Sequence, residues 1–241
     1  MKITQCTYED SDWRDEPTME FQVEAVLENQ SDFDIEFVTT SMLVVNRSGC
    51  VIGGSEDRDD RTFISSKDSG AVEMNCDAVR AAVGGSGSDT KCYISASLYK
   101  REFIKVGSFD FPRAPGELSE LKGNVSLGGV AELMGASCIR FQDDEEDGDC
   151  KFEFYSGVRN TSESYIARAQ LSVRLMDQRD ALVEENIDYS ELAAKGMYVF
   201  NPSFFGIKPG KLKNAKFDLT ASVFVPVETF TAEAVPVHLD D

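Results

Sequence analysis

Two stretches of this chain repeat one another in order and in kind. "CTYEDSDWRDEPTMEFQVEAVLENQS", beginning at Cys6, aligns with "CIRFQDDEEDGDCKFEFYSGVRNTS", beginning at Cys138. Each opens on a short apolar strand, passes through an acidic loop, alternates apolar and polar residues, and ends on Asn-x-Ser. The cysteines lie 132 positions apart, and Asn29 and Asn160 lie 131 apart. Further on, "SMLVVNRSGCVI" matches "LSVRLMDQRDALV", and "ISASLYKREF" from Ile94 matches "LTASVFVPVE" from Leu219. An internal repeat of roughly 105 residues is the strongest constraint on the fold, because whatever one copy forms the other forms as well. With 241 residues, 41% of them apolar, each copy can bury a core of its own.

The repeats read as β. Phe21, Val23, Ala25 and Leu27 alternate with polar neighbours, as do Phe152, Phe154 and Val158. A period of two places one face in a core and the other in water. Strands are expected near 2–8, 19–28, 35–45, 50–54, 71–76, 91–99 and 103–111 in the first repeat. In the second they are expected near 136–141, 151–159, 165–176, 181–187, 197–200, 215–225 and 228–236. Seven short strands divided by frequent turns are the pattern of an antiparallel sandwich. The expected class is therefore all-β: two tandem antiparallel β-sandwiches arising from internal duplication. The expected domains are 1–112 and 134–241, joined by a Pro- and Gly-rich linker at 113–133 in which Asn124 to Leu127 offers an edge strand.

Local signals fill in the connections. Asn46-Arg47-Ser48-Gly49 and Asp177-Gln178-Arg179-Asp180 read as matching turns, each closed by its first side chain. "DAVRAAVGG", with Asp77 as cap and Gly84 as stop, and "YSELAAKG", with Ser190 and Gly196 in those roles, read as short helical turns. Asn-x-Ser/Thr occurs at Asn29, Asn46, Asn124 and Asn160. Asn29 and Asn160 each end an alternating strand, and a short side chain there bonds the backbone and shapes a turn.

Charge narrows the function. The chain has 43 acidic and 24 basic residues, a net charge of −19. Residues 1 to 112 hold 21 acidic and 11 basic side chains, so the acidity is not confined to a tail. Such a charge repels phosphate backbones and anionic lipid, which points away from nucleic acid and membranes and toward a neutral or basic protein partner. "MKITQCTYEDSDW" has no apolar h-region, and no run of about 18 apolar residues occurs anywhere, so a soluble cytoplasmic protein is expected. In that setting Cys6, Cys50, Cys76, Cys92, Cys138 and Cys150 are read as free thiols, with a Cys138–Cys150 bridge as the minor alternative.

Catalytic signals are missing. His238 is the single histidine, which argues against Ser/His and Cys/His mechanisms and against a Cys/His zinc site. "GGSGSDTK" and "GIKPGK" lack phosphate-loop spacing. No enzyme activity and no cofactor are expected.

The strands that run through Val26 to Ser31 and Val158 to Ser162 into Asn-x-Ser, each followed by a strand led by Ile35 or Ile166, resemble the first hairpin of bacterial immunoglobulin-like domains of the FxLYD kind. "KPGKLKNAKFDLTASV", with Pro209-Gly210 ahead of a late strand, is similar too, and "VRLMD" and "LVVNR" approximate the family signature. The resemblance implies immunoglobulin-like sandwiches and a habit of binding other proteins. Antibody-type marks are absent: no cysteine falls in 19–28 to bridge to Cys92, and the one tryptophan, Trp13, is not in the third strand.

The sharpest candidates are the first loops of the two repeats, Asp12, Trp13, Asp15 and Glu16 with Asp143, Asp144, Glu145, Glu146 and Asp147. They read as partner-binding loops, with Trp13 either an aromatic anchor or folded back over its own sheet. Dense carboxylates also suit calcium, although Phe154 stands where a calcium loop ends in Glu. The expected function is a non-enzymatic protein-binding or adaptor module. The alternatives are a calcium-responsive module and an acidic inhibitor that mimics nucleic acid.

Overall fold

A computed structural model of the chain describes residues 1–11, 17–59, 62–110, 112, 114–141, 149–208 and 215–239. Strand makes up 72% and helix 3%, and the class is all-β. The strands are β1 (Lys2–Ser11), β2 (Thr18–Glu28), β3 (Phe37–Val45), β4 (Val51–Asp59), β5 (Ser69–Val79), β6 (Lys91–Asp110), β7 (Leu118–Leu127) and β8 (Ala131–Arg140). They continue as β9 (Cys150–Asn160), β10 (Ile166–Met176), β11 (Leu182–Leu192), β12 (Met197–Phe200), β13 (Ser203–Ile207), β14 (Lys216–Pro236) and β15 (His238–Leu239). A single turn of helix, α1 (Arg80–Val83), ends at Gly84 in the left-handed conformation (φ 71°), where glycine carries no steric penalty.

The chain divides into two compact units: Met1–Lys100 with Pro226–Asp241, and Arg101–Val225. Unit 1 has one sheet in the order β15-β1-β2-β5 and a second containing β4, β3 and the first half of β6, with the end of β14 beside β6. Ser97 and Thr229 share a hydroxyl hydrogen bond of 2.9 Å across that last seam. Unit 2 has one sheet of β7, β8, β9 and β12, with β13 also on β9, and a second of β11, β10, the first half of β14 and the end of β6. Ser108 Oγ donates to Asp218 there, at 2.5 Å. Apart from β6 with β14, every pairing named in these sheets is antiparallel except β1 with β15, which is parallel.

Alternation decides which face each strand buries. On β2, Met19, Phe21, Val23, Ala25 and Leu27 are buried and the residues between them face outward. They join Cys6, Tyr8, Met42, Val44, Met74, Cys92, Ile94 and Leu98 in the core of unit 1. The core of unit 2 centres on Phe154, whose ring lies 4.8 Å from Phe217, 5.7 Å from Phe204 and 5.9 Å from Phe109. A fully buried side chain of this kind contributes roughly 1.5–3 kcal/mol, so these clusters dominate the stability of each unit.

The two long strands are shared. Phe109, on the last half of β6, is buried in the core of unit 2, whereas Val237, just beyond β14, is buried in the core of unit 1. The sequence suggested breaks within 99–103 and 225–228, but β6 and β14 run through them unbroken. The broken alternation there marks passage from one unit to the other, not a turn. Residues 113–133 likewise hold β7 and the start of β8, with β7 paired to β8 from Leu118 opposite Ile139 to Leu127 opposite Ala131. "YSELAAKG" forms no helix: Tyr189 to Leu192 continue β11, and Gly196 N–H bonds Ala193 O at 2.8 Å in a tight turn. In the other stretch, Asp77 lies within β5 and Val79, not Asp77, precedes the helical turn.

Asn29 and Asn160 are the fixed points of the two units. Both are buried, at 1% and 0% exposure. The Asn29 amide donates to the carbonyls of Phe33, Ile64 and Ser65, and its oxygen accepts from Ser31 N–H and O–H. The Asn160 amide donates to Ser164, Leu192 and Ala193, and its oxygen accepts from Ser162 N–H and O–H. The expected turn role is there, and with it a tie to a distant loop. The tie is braced each time by a lysine with positive φ, Lys67 (62°) or Lys195 (58°). Lys67 bonds Gln30 O and Asp32, and Lys195 bonds Thr161 O and Glu163. The turns at Asn46 and Asp177 also match, each side chain accepting two backbone N–H bonds, from Ser48 and Cys50 or from Arg179 and Ala181.

Candidate functional site

The outer face of the β15-β1-β2-β5 sheet in unit 1 stands out by its charge. Residues directly opposite in an antiparallel ladder share a face, about 5 Å apart at Cβ. Glu9 on β1 stands opposite Glu20 on β2, and Glu20 opposite Asp77 on β5. One row on, Thr7 faces Gln22 and Gln22 faces Asn75; in the next, Gln5 faces Glu24 and Glu24 faces Glu73. Three strands thus bring five carboxylates onto one face, with the uncharged row of Thr7, Gln22 and Asn75 between them.

Among the described residues, two cations on this unit are paired to other carboxylates. Arg80 bonds Asp10 at 3.2 Å, and Lys67 bonds Asp32 at 3.0 Å. Among the described residues no ion pair is made by Glu9, Glu20, Glu24, Glu73 or Asp77; Glu73 accepts one hydrogen bond, from the Gln22 amide at 2.8 Å. His238 is exposed and stands beside Thr7 in the parallel ladder. Like charges directly opposite on a sheet each cost roughly 0.2–1 kcal/mol, and three such contacts are maintained here. The fold has no use for them, since any polar residue would serve on an outward face.

The corresponding face of unit 2 is built otherwise. At the matching offset Lys151 replaces Glu20, Glu153 replaces Gln22 and Arg159 replaces Glu28. Its carboxylates are paired: Glu132 with Arg159 at 2.5 Å, Glu153 with Lys151, and Glu120 with Lys122 at 3.5 Å. Hydrogen bonds from Arg159 and Asn124 hold the Glu132 carboxyl below its usual range, and those from Lys151 and Tyr155 do the same for Glu153. The two faces share a backbone pattern and differ in whether their charge is compensated.

The loop residues singled out from the sequence, Asp12, Trp13, Asp15 and Glu16 with Asp143, Asp144, Glu145, Glu146 and Asp147, lie outside the described residues. The first loop joins β1 to β2, the two strands that carry Glu9 and Glu20. Among the described residues no group of three or more His, Cys, Asp or Glu is placed to hold a metal ion. A groove of about 370 Å³ lined by Met1, Lys2, Val26, Glu28, Lys67, Asp68 and Ser69 opens at one end of the acidic face.

No family model matches the chain, and no curated protein sequence does. Solved structures share with it only low similarity. A conserved hypothetical protein from Bacillus anthracis is 12% identical with a TM-score of 0.30, covering 54% of this chain and 99% of its own. The structure named pT26-6p is 7% identical with a TM-score of 0.28, covering 98% of this chain and 66% of its own. Red sea bream transglutaminase is 10% identical with a TM-score of 0.24, and the chain spans about a third of its length. Among the described residues no helix is long and apolar enough to cross a membrane.

Proposed function

We propose that this chain is a non-enzymatic protein-binding module, two immunoglobulin-like sandwiches born of an internal duplication, whose first unit docks a basic partner on its acidic sheet face. The observation that carries the reading is the row Glu9, Glu20 and Asp77: three carboxylates side by side across three strands, with no ion pair to any of them among the described residues. A surface that retains repulsion the fold does not need is one a positive partner relieves on binding. The duplication is supported by the matched Asn29 and Asn160 networks and the matched turns at Asn46 and Asp177. The chain's net charge of −19 suits the same partner class and speeds its encounter at low salt.

The test is a triple variant, Glu9→Gln with Glu20→Gln and Asp77→Asn. A partner captured from the native host by the wild-type chain is expected to bind at least tenfold more weakly to it, and to release from wild type as salt is raised. Equal capture by both proteins rejects the face as the docking site. A second reading, an acidic inhibitor that mimics nucleic acid, is favoured by the same concentration of carboxylates on one face. Double-stranded DNA that displaces the captured partner supports mimicry; DNA that leaves it bound supports the adaptor.

A further inference from the structure

The last strand of a sheet turns every second N–H and C=O outward, and folded proteins blunt such edges with bulges, lysine, glycine, brevity or cover. Most edges of this protein are blunted. β1 has a register shift between Ile3 and Gln5 and has β15 alongside it. β4 carries Gly53, Gly54 and Arg58, and its Gly53 lies against the Asp77 carbonyl of β5. β7 holds Lys122 and Gly123 where its register shifts, between Leu121 and Asn124, and β12 is four residues long.

β11, in unit 2, has none of these devices. It runs for eleven residues, LVEENIDYSEL, without proline, glycine, lysine or arginine. Its ladder to β10 is uninterrupted from Ser190 opposite Ala169 to Glu184 opposite Leu175. Among the described residues no strand pairs its other side, and seven of its eleven residues are exposed. Val183, Ile187 and Tyr189 lie along its outward face at 49%, 43% and 59% exposure. A long, uncovered edge with apolar side chains is a template on which another strand adds.

We infer that β11 pairs antiparallel with β11 of a second copy of this chain, about a two-fold axis through Ile187, so that two sheets become one. The order of residues along the strand selects this occupant. A two-fold axis normal to the sheet pairs residues of like parity and keeps each face continuous. With the axis at Ile187 the whole strand pairs: Ile187 meets its own copy, Asn186 meets Asp188, Glu185 meets Tyr189, Glu184 meets Ser190 and Val183 meets Glu191. The strand carries four acidic residues, Glu184, Glu185, Asp188 and Glu191, and in this register no two stand opposite. Moving the axis by one residue either way sets Glu184 against Asp188 or Glu185 against Glu191, and like charges directly opposite are destabilising. The incoming Glu185 also finds a cation beside its partner, since the Arg168 guanidinium lies 4.4 Å from the Tyr189 ring centre.

Sedimentation velocity of the full chain is expected to show a reversible dimer that grows in over about 1–200 µM, the affinity range of a short interface. Each copy carries a net charge of −19, so added salt is expected to favour the dimer, the opposite of its effect on a basic partner at the acidic face. A monomer at every concentration and salt level overturns the inference. The register is read by cross-linking in chains that carry Cys50→Ser, which removes the exposed native thiol. Ile187→Cys places two sulfurs face to face at the axis, within reach of a disulfide, whereas Val183→Cys places each against Glu191. With oxidised glutathione, Ile187→Cys is expected to give a covalent dimer in roughly tenfold or greater excess over Val183→Cys. Equal cross-linking, or none from Ile187→Cys, overturns the pairing. Both positions are exposed, so neither variant tests the core. Ile187→Glu sets like charges opposite at the axis and is expected to abolish the dimer, while Val51→Glu on β4, at a site 61% exposed, leaves it intact. A dimer that survives Ile187→Glu forms elsewhere and also overturns the inference.

Discussion

Asn29 and Asn160 stand 131 residues apart in the chain, and each donates its amide to three backbone carbonyls while its oxygen accepts from the serine two positions on. Each position demands two N–H donors and a separate acceptor on one short side chain, which among common residues leaves asparagine alone. Asn29→Ala and Asn160→Ala are each expected to destabilise their own unit by about 3 kcal/mol, since several buried carbonyls lose their partner. Asn29→Asp and Asn160→Asp are expected to do no better, because a carboxylate cannot donate. Urea unfolding followed by tryptophan and tyrosine fluorescence reads the change. Asn124→Ala, which removes only an exposed bond to Glu132, serves as the near-neutral control.

Repulsion on the acidic face has a thermodynamic signature separate from binding. Neutralising Glu20 and Asp77 together is expected to raise the stability of unit 1 by roughly 0.5 kcal/mol or more at low salt. The gain is expected to shrink in 0.5 M salt, where screening relieves the wild type as well, the Debye length being then under about 5 Å. Unfolding curves at the two salt concentrations check it; a variant less stable than wild type at low salt contradicts the electrostatic account.

Two buried thiols set an alkaline limit. Desolvation, with the Asp77 charge in the first case, pushes Cys76 and Cys138 up to about 12. An unfolded cysteine ionises near about 8.5, so these thiols hold their protons in the folded state after the unfolded chain has lost them. Their contribution to stability is complete below about pH 8.5 and is lost as pH rises toward 12. Unfolding midpoints are expected to fall across that window, and native alkylation at pH 8 is expected to label Cys50 and spare Cys76 and Cys138.

The aromatic centre of unit 2 predicts a larger and local loss. Phe154→Ala empties a site ringed by Phe109, Phe204 and Phe217 and is expected to cost about 3–5 kcal/mol. Calorimetry that resolves a low-melting transition for unit 2, with the Cys6 thiol still protected in unit 1, is the expected outcome.

Strands such as β2, β3, β9 and β10 were legible in the sequence because period-two burial writes itself locally, and the Asn46 and Asp177 turns because one side chain closes each. The acidic row was not. Glu9, Glu20 and Asp77 are outward residues of three strands, and only the ladder register makes them neighbours. A single sequence shows which residues face outward; it does not show which strand lies opposite. The strand break expected between 99 and 103, and the reading of 113–133 as linker with at most an edge strand at Asn124 to Leu127, differ from the unbroken β6 and the longer β7 for a related reason. Weak apolar periodicity reads as a break, yet a strand that leaves one core for another, or that lies at a sheet edge as β7 does, loses its alternation without ending. "YSELAAKG" carried a helical composition that ladder pairing of β11 with β10 overrode.

The path of the chain imposes an order on its birth. Unit 2 is bounded by Arg101 and Val225, while unit 1, though it begins at the first residue, is completed by Pro226 onward, with Val237 filling its core. A ribosome therefore delivers the last piece of the first unit only after the whole of the second. The first hundred residues must wait, their core open, until Arg101 to Val225 and the strand beyond have been made.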